Sequence, residues 1–153
     1  MIPISEILTP SHINLALAAR DQAGGVQEVL FKLNGDPRIL DWEALRQAIT
    51  ERNAPAISCG PCGICIAHGR TNSVQSLVMA AGRSAEGLTS PNVEERVRLV
   101  FVAGIPAAFH SEYLRVVGAI ARLCHDKALL NKLLTVQGPE DFIRLLSSGE
   151  AKL

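Results

Sequence analysis

The chain has 153 residues, enough for one domain with a buried core, and hydrophobic residues make up 48% of it. Its formal net charge is zero, which argues against a nucleic-acid-binding protein, because such proteins need a basic face. No apolar run approaches the ~18 residues of a membrane span, and residues 1–6 lack the pattern of a signal peptide. We therefore expect one cytoplasmic domain over residues 1–153, without membrane insertion or nucleic-acid binding.

The first 35 residues predict a short strand and a helix. Residues 13–17 alternate apolar with smaller or polar side chains, which is the two-residue period of a strand. Between residues 26 and 33 the apolar side chains follow the spacing i, i+3, i+4, i+7. This spacing predicts an amphipathic helix over residues 22–34, with Gly35 closing it.

A second helix is expected to follow. Asp36 and Pro37 have the form of an N-cap and a first helical position, so the helix is predicted to begin there. Its apolar face lies between residues 42 and 49, and it should end near residues 52–55.

The middle of the chain predicts the sheet. Residues 57–63 are turn-rich, and residues 64–67 form a short buried strand. A second apolar run covers residues 77–81, and residues 87–95 are expected to be a polar loop. Residues 97–103 alternate in the manner of a strand.

The C-terminal part predicts three helices. The first runs over residues 111–125, followed by two short ones separated by Gly138 and Pro139, the last over residues 140–147. Four residues are expected to share the main apolar face of the first of them, namely Leu114, Val117, Ala121 and Cys124. Val116, Ile120 and Leu123 are expected to widen this face. The fold class is therefore α/β (α+β), with a small mixed sheet of about five strands and helices on both faces.

A histidine at the end of a strand is the most informative feature of the sequence. The apolar run of residues 64–67 stops at His68, and Gly69 and Arg70 follow it. An imidazole in this position, close to backbone NH groups and a guanidinium, can carry a phosphoryl group on nitrogen. Without further features, a histidine after an apolar run is more often a satisfied core residue.

Five segments share the sequence pattern of a known family. Arg52 precedes His68 by sixteen residues, and the family has an arginine at the same distance before its histidine. The segments are Ile4–Pro10, Val26–Leu30, His68–Arg70, Arg98–Val102 and Tyr113–Leu123. In these the chain resembles the enzyme IIA domain of the phosphoenolpyruvate-dependent phosphotransferase system, of the fructose, mannitol and nitrogen-regulatory type (type 2). The resemblance covers nearly the whole chain.

The resemblance implies a phosphocarrier whose His68 accepts phosphate from a phosphocarrier protein of the HPr type. His68 would pass it to a sugar permease domain, or the phosphorylation state would act on a regulatory target. In this scheme Arg52 and Arg70 neutralise charge on the phosphoryl oxygens, and Ser58 with the backbone of Gly69 completes the cradle. No cofactor and no metal ligand are implied.

Three departures from the family pattern stand around this histidine. Ala67 replaces the usual proline, and residues 59–62 replace a turn rich in glycine and asparagine. The family has a second histidine at the position that corresponds to Tyr113 in this chain. The nearest histidine, His110, lies one helical turn earlier. His110 or Tyr113 would flank the acceptor. These departures leave open a relative that has lost transfer activity and acts as a protein-binding regulatory module.

The cysteines offer another alternative. Cys59, Cys62, Cys65 and His68 are spaced three apart, which suggests a metal or redox site. Against a shared metal ion, residues three apart on a strand point to opposite faces, so Cys65 and His68 should diverge.

Two further expectations concern the surroundings of the site. Four residues are expected to form an apolar docking rim: Val74, Leu77, Phe109 and Tyr113. His12 and His125 show no partner in the sequence pattern and are interpreted as surface or capping residues.

Overall fold

A computed structural model describes residues 3–51, 56–59, 62–91 and 93–150, and of residues 56–59, 62 and 93 it describes only the backbone. The helices are α1 Ile4–Ile7, α2 Gln22–Phe31, α3 Trp42–Thr50, α4 His110–His125, α5 Lys127–Thr135 and α6 Pro139–Glu150. Short 3₁₀ turns cover Pro10–His12 and Ala107–Phe109. The strands are β1 Ile13–Asn14, β2 Ala56–Cys59, β3 Cys62–Arg70, β4 Val78–Ser90 and β5 Val93–Ile105.

The five strands form one mixed sheet in the order β1-β4-β5-β3-β2. β3 runs parallel to β5 and β1 runs parallel to β4, while the β2–β3 and β4–β5 pairs are antiparallel. From Ile64 to Arg70 the register between β3 and β5 is unbroken, and it sets His68 beside Ala103. The expected sheet of about five strands is thus confirmed.

Successive side chains of each strand point to opposite faces of the sheet and build two separate cores. Ile64, Ile66 and Phe101 belong to a cluster that includes buried residues of α1, α4, α5 and α6. Cys65 and Val100 belong to a second cluster with buried residues of α2 and α3. Helices therefore cover both faces of the sheet, as the sequence predicted.

The second helix begins later than the sequence predicted. Asp41 caps α3, its side chain accepting from the backbone NH of Ala44, so the prediction of a helix start at Asp36 and Pro37 was wrong. Asp36 instead accepts two hydrogen bonds from the guanidinium of Arg38, at 3.0 and 2.7 Å. A carboxylate engaged in this ion pair is not available as a helix cap.

The strands are longer than predicted. The turn-rich residues 57–63 contribute most of β2 and the start of β3, and β3 continues through His68 to Arg70. The polar loop expected over residues 87–95 was also wrong, because β4 reaches Ser90 and β5 begins at Val93. The register shifts between Arg83 and Leu88 and again between Leu88 and Ser90. Glu86, Thr89 and Glu94 are exposed at this end of the β4–β5 pair, and such polar residues are typical of a loop.

The helix of residues 111–125 is confirmed as α4, but its buried face is centred on the residues that were expected only to widen the predicted face. Leu114 is 55% exposed, and Val117 and Ala121 are only partly buried. The buried residues of this helix are Tyr113, Val116, Ala119, Ile120, Leu123 and Cys124. Tyr113 takes the core position in the first turn, which rotates Leu114 to the surface. The two short C-terminal helices are confirmed as α5 and α6, with Phe142 and Leu146 fully buried.

His12 has a buried partner that the sequence did not indicate. Its Nε2 lies 3.3 Å from Asp36 Oδ2, and its Nδ1 lies 3.2 Å from Thr9 Oγ1. The expectation that His12 is a surface residue was therefore wrong. Burial lowers the pKa of His12, although Asp36 acts in the opposite direction. The pKa of the Asp36 carboxyl is also lowered, chiefly by its hydrogen bond from Arg38.

Within the described part of the chain, none of the helices has the length and apolar character that crossing a bilayer requires.

Two glycines provide a matched test of the packing. A Cβ at Gly82 of β4 would overlap a methyl of Val29 and stand 3.0 Å from Leu17, whereas a Cβ at Gly118 of α4 meets nothing within 4 Å. We expect Gly82→Ala to lower the free energy of unfolding by about 1–3 kcal/mol. Gly118→Ala should raise it by about 0.5–1 kcal/mol through helix propensity. Urea unfolding of both variants checks this; equal effects of one sign would contradict the packing of α2 on β4.

The His12 pair gives a pH dependence of stability. Because its pKa is lower in the folded chain than its ordinary 6.5, protonation favours the unfolded chain, so the contribution of His12 is complete above 6.5 and declines below it. We expect the unfolding free energy to fall between about pH 7.5 and about pH 5.5, and His12→Gln to reduce that fall. Urea titrations at both pH values measure it, and an unchanged fall in the variant would be evidence against the buried position of His12.

Candidate functional site

His68 lies near the carboxyl end of β3 and faces α4. The side chains of Ile64 and Ile66 point into the core beneath this helix, so alternation places His68 on the same face. Its ring centroid lies 4.8 Å from that of Tyr113, and the two planes are tilted by 38°. His68 is partly buried and Tyr113 is only 4% exposed, so the tyrosine forms a wall behind the imidazole.

Arg70 and His110 complete the described part of the site. Arg70 is two residues beyond His68 and on the same face of β3, and its Nη2 lies 2.8 Å from Nδ1 of His110. His110 is the first residue of α4, and its ring centroid lies 6.4 Å from that of Tyr113, with the planes tilted by 34°. Both imidazoles therefore neighbour one tyrosine ring, with a guanidinium alongside.

The end of α4 that lies beside His68 is its N-terminal end. Tyr113 sits in the first turn of this helix and contacts the His68 ring. A helix N-terminus carries a partial positive charge and favours a negative group placed near it. Together with the guanidinium of Arg70, this gives the space beside His68 the electrostatics that suit a phosphoryl group.

Gly69 allows a close approach on the opposite face of β3. A Cβ there would be 3.0 Å from the Cβ of Ala48 and 3.1 Å from its carbonyl carbon, in the last turns of α3. The end of α3 is thus held against the residue that follows His68. Arg52, expected to act on the phosphate, comes shortly after this helix and lies outside the described residues.

Ser58 is described by its backbone alone. It belongs to β2, at the position that pairs with Gly63 of β3, so β2 borders the strand that carries His68. Of the predicted site residues, His68, Arg70, His110 and Tyr113 come together in the described structure. Gly69 lies in the same strand and faces α3.

The predicted docking rim was largely wrong. Val74, Leu77 and Tyr113 are buried, and Phe109 is partly buried. The exposed apolar residue near the site is Leu114, next to Tyr113 in the first turns of α4. The exposure of Leu114 was not predicted, because its spacing assigned this residue to the apolar face of the helix.

Cys65 does not face the site. It lies on the α2 side of β3, and its sulfur accepts a hydrogen bond of 3.3 Å from the side-chain amide of Gln22. One metal ion cannot therefore bind both Cys65 and His68, which is the divergence that the strand pattern predicted. The described residues contain no group of three metal-ligating side chains. The backbones of Cys59 and Cys62 are paired across the β2–β3 hairpin.

The comparisons identify the family. Residues 6–149 match the family described as phosphoenolpyruvate-dependent sugar phosphotransferase system, EIIA 2. The chain therefore belongs to this family of phosphocarrier domains, as the sequence features indicated.

The chain is similar to fructose-specific components of this system. The chain is 27% identical over 138 residues to the PTS system fructose-specific EIIA component of Haloferax volcanii, covering 90% of each. It is 23% identical over 148 residues to the fructose-specific EIIABC component of Bacillus subtilis, which is longer, so that the match spans 96% of this chain and 23% of the relative.

Two solved structures share the fold. The nitrogen regulatory protein IIA-Ntr of Neisseria meningitidis superposes with a TM-score of 0.80 at 24% identity, covering 94% of this chain and 98% of that one. Enzyme IIAMtl of Escherichia coli, in its complex with phosphorylated enzyme IIBMtl, superposes with a TM-score of 0.74 at 16% identity, covering 92% and 96%.

The position of Cys65 predicts an unreactive thiol. Burial raises the pKa of Cys65 to about 11, although the hydrogen bond from Gln22 acts in the opposite direction. We expect iodoacetamide at about pH 8 to leave Cys65 unmodified in the folded chain and to alkylate it in urea. Peptide mass spectrometry measures both; rapid alkylation of Cys65 in the folded chain would support a redox role for it.

Proposed function

We propose that His68 is the phosphate acceptor of this chain. The observation that supports it most strongly is the placement of the imidazole beside Tyr113 at the end of β3, with Arg70 and the N-terminus of α4 on the same side. A partly buried imidazole beside a tyrosine ring, with a guanidinium and a helix N-terminus on the same side, suits in-line transfer, which depends on positioning and charge stabilisation.

The transfer step moves one phosphoryl group between two imidazoles. A lone pair on one ring nitrogen of His68 attacks the phosphorus of a phosphohistidine on the donor protein. The P–N bond of the donor breaks, its electron pair returns to the donor nitrogen, and a new P–N bond forms on His68. Each ring keeps the proton on its other nitrogen, so no proton is gained or lost. The tilted Tyr113 ring limits rotation of the acceptor imidazole.

The surrounding residues have distinct tasks in this proposal. Arg52 neutralises the charge on the transferring oxygens with a planar donor, and the guanidinium of Arg70 adds positive charge beside the site. The hydroxyl of Ser58 and the backbone NH groups near Gly69 complete the cradle. His110, which opens α4, and Tyr113 flank the acceptor, with the ring of Tyr113 as its wall.

The proposed partners are a phosphocarrier protein of the HPr type upstream and a sugar permease domain or regulatory target downstream. The names of the fructose-specific relatives and of the nitrogen regulatory neighbour support the two downstream options, and the mannitol complex with phosphorylated enzyme IIB supports docking of a partner domain. Leu114, exposed beside Tyr113, is the apolar residue on which we place this docking. Such a relay operates in the cytoplasm.

A second candidate function is a binding module without transfer activity. The observation that favours it is that a tyrosine, and not an imidazole, contacts the His68 ring. Ala67 gives this alternative no support, because its side chain is buried on the α2/α3 face, away from His68. The change from proline to alanine is therefore compatible with the acceptor role.

Labelling with the upstream cascade distinguishes the two. We expect the chain to take up one acid-labile phosphate when incubated with phosphoenolpyruvate, the first enzyme of the system and its phosphocarrier protein. His68→Gln should abolish uptake, because glutamine has no nucleophilic nitrogen.

The matched control is His125→Gln, which removes an exposed histidine at the far end of α4 and should label as the wild type does. Stable binding of the phosphocarrier protein with no phosphate on the wild type would support the binding module instead.

A further inference from the structure

The pair formed by Arg70 and His110 is the basis of this inference. We propose that Arg70 is a positioning residue that holds His110 in its Nε2–H tautomer, so that His110 donates a hydrogen bond to the phosphoryl group on His68. The inference rests on the proposed function of His68. It gives Arg70 a role that acts through His110, in place of direct contact with the phosphate.

The tautomer follows from the chemistry of the two groups. A guanidinium carries only donors, so the 2.8 Å contact between Arg70 Nη2 and His110 Nδ1 requires that Nδ1 accept. A ring nitrogen that accepts bears no proton, and the single proton of the neutral ring is then on Nε2. The two nitrogens of an imidazole point in diverging directions, so Nε2–H is directed away from the guanidinium.

The alternative tautomer would oppose the reaction. With the proton on Nδ1, Nε2 presents a lone pair, which repels a phosphoryl oxygen in place of donating to it. A neutral histidine at a helix start exchanges between both forms unless a neighbour selects one. Arg70 makes that selection, since it is always protonated and never accepts.

Both β3 and α4 support this arrangement of Arg70 and His110. Arg70 ends β3 on the face that carries His68, and His110 begins α4, so the bond joins the two elements that form the site. The Tyr113 ring neighbours both imidazoles, at 6.4 Å from His110 and 4.8 Å from His68. His110 is thus held at Nδ1 by Arg70 and on one side by Tyr113.

The first measurement is spectroscopic and needs no phosphate. Long-range ¹H–¹⁵N correlation spectra of the imidazole nitrogens should show His110 as the Nε2–H tautomer in the wild type, and a mixture of tautomers in Arg70→Met. Arg115→Met is the matched control, because it removes an exposed cation on α4 that pairs with Glu112 and should leave the His110 pattern unchanged.

The second measurement is a double-mutant cycle on the rate of phosphate uptake. Glutamine at position 110 places an amide donor near the position of Nε2 without need of a tautomer. We expect Arg70→Met to slow uptake about tenfold, and His110→Gln to slow it less. The double variant should be no slower than His110→Gln alone, because Arg70 then has nothing to position. Additive losses would mean that Arg70 contacts the phosphate itself, and would overturn the inference.

The two measurements separate this inference from the proposed function. A wild type that takes up phosphate but shows His110 with its proton on Nδ1 overturns the inference alone. A wild type that takes up no phosphate overturns the proposed function, and the inference with it, whichever tautomer is seen.

Discussion

The two-residue alternation of β3, fixed by its unbroken parallel register with β5, is the constraint on which the site depends. It places His68 and Arg70 on the face covered by α4, and Cys65 and Ala67 on the face covered by α2 and α3. A shift of one residue would exchange these two sets. The alternation therefore separates the α4 face, which holds the imidazole and the guanidinium, from a packing face, which holds a buried thiol and a methyl group.

This separation explains how the chain tolerates its departures from the pattern of its family. Ala67 replaces a proline, but it lies where packing under α2 and α3 requires an apolar side chain, and Cys65 lies on the same face. Among the described residues, the departure on the α4 face is Tyr113, and its ring centroid lies 4.8 Å from that of the His68 imidazole. The neighbouring imidazole is supplied one helical turn earlier by His110, which is anchored to β3 through Arg70. His68, His110 and Arg70 thus lie together in this chain, with a sequence spacing that differs from the family pattern.

The sequence pattern of neighbouring residues predicted those parts of the fold that do not depend on contacts between distant residues. The run of residues 64–67 placed His68 at a strand end, and the same alternation predicted that Cys65 and His68 diverge. The start of α3 was missed because Asp36 is engaged by His12 and Arg38, and a contact between distant residues cannot be read from a cap motif. The centre of the buried face of α4 was misplaced because Tyr113 is buried against a residue of β3, which only the tertiary structure shows. Nor could the sequence show that Arg70 reaches His110, since the two are joined only by the packing of α4 on the sheet.

The most direct test of the acceptor site is a comparison of ¹H–¹⁵N amide spectra of the labelled chain before and after phosphorylation by the upstream cascade. Because a phosphoryl group on His68 changes the field at its neighbours, the largest shifts should fall on Gly69, Arg70, His110 and Tyr113, and residues of α5 and α6 should remain unshifted. Shifts centred on α5 and α6, or around His125, would show that phosphate enters elsewhere and would contradict the assignment of His68.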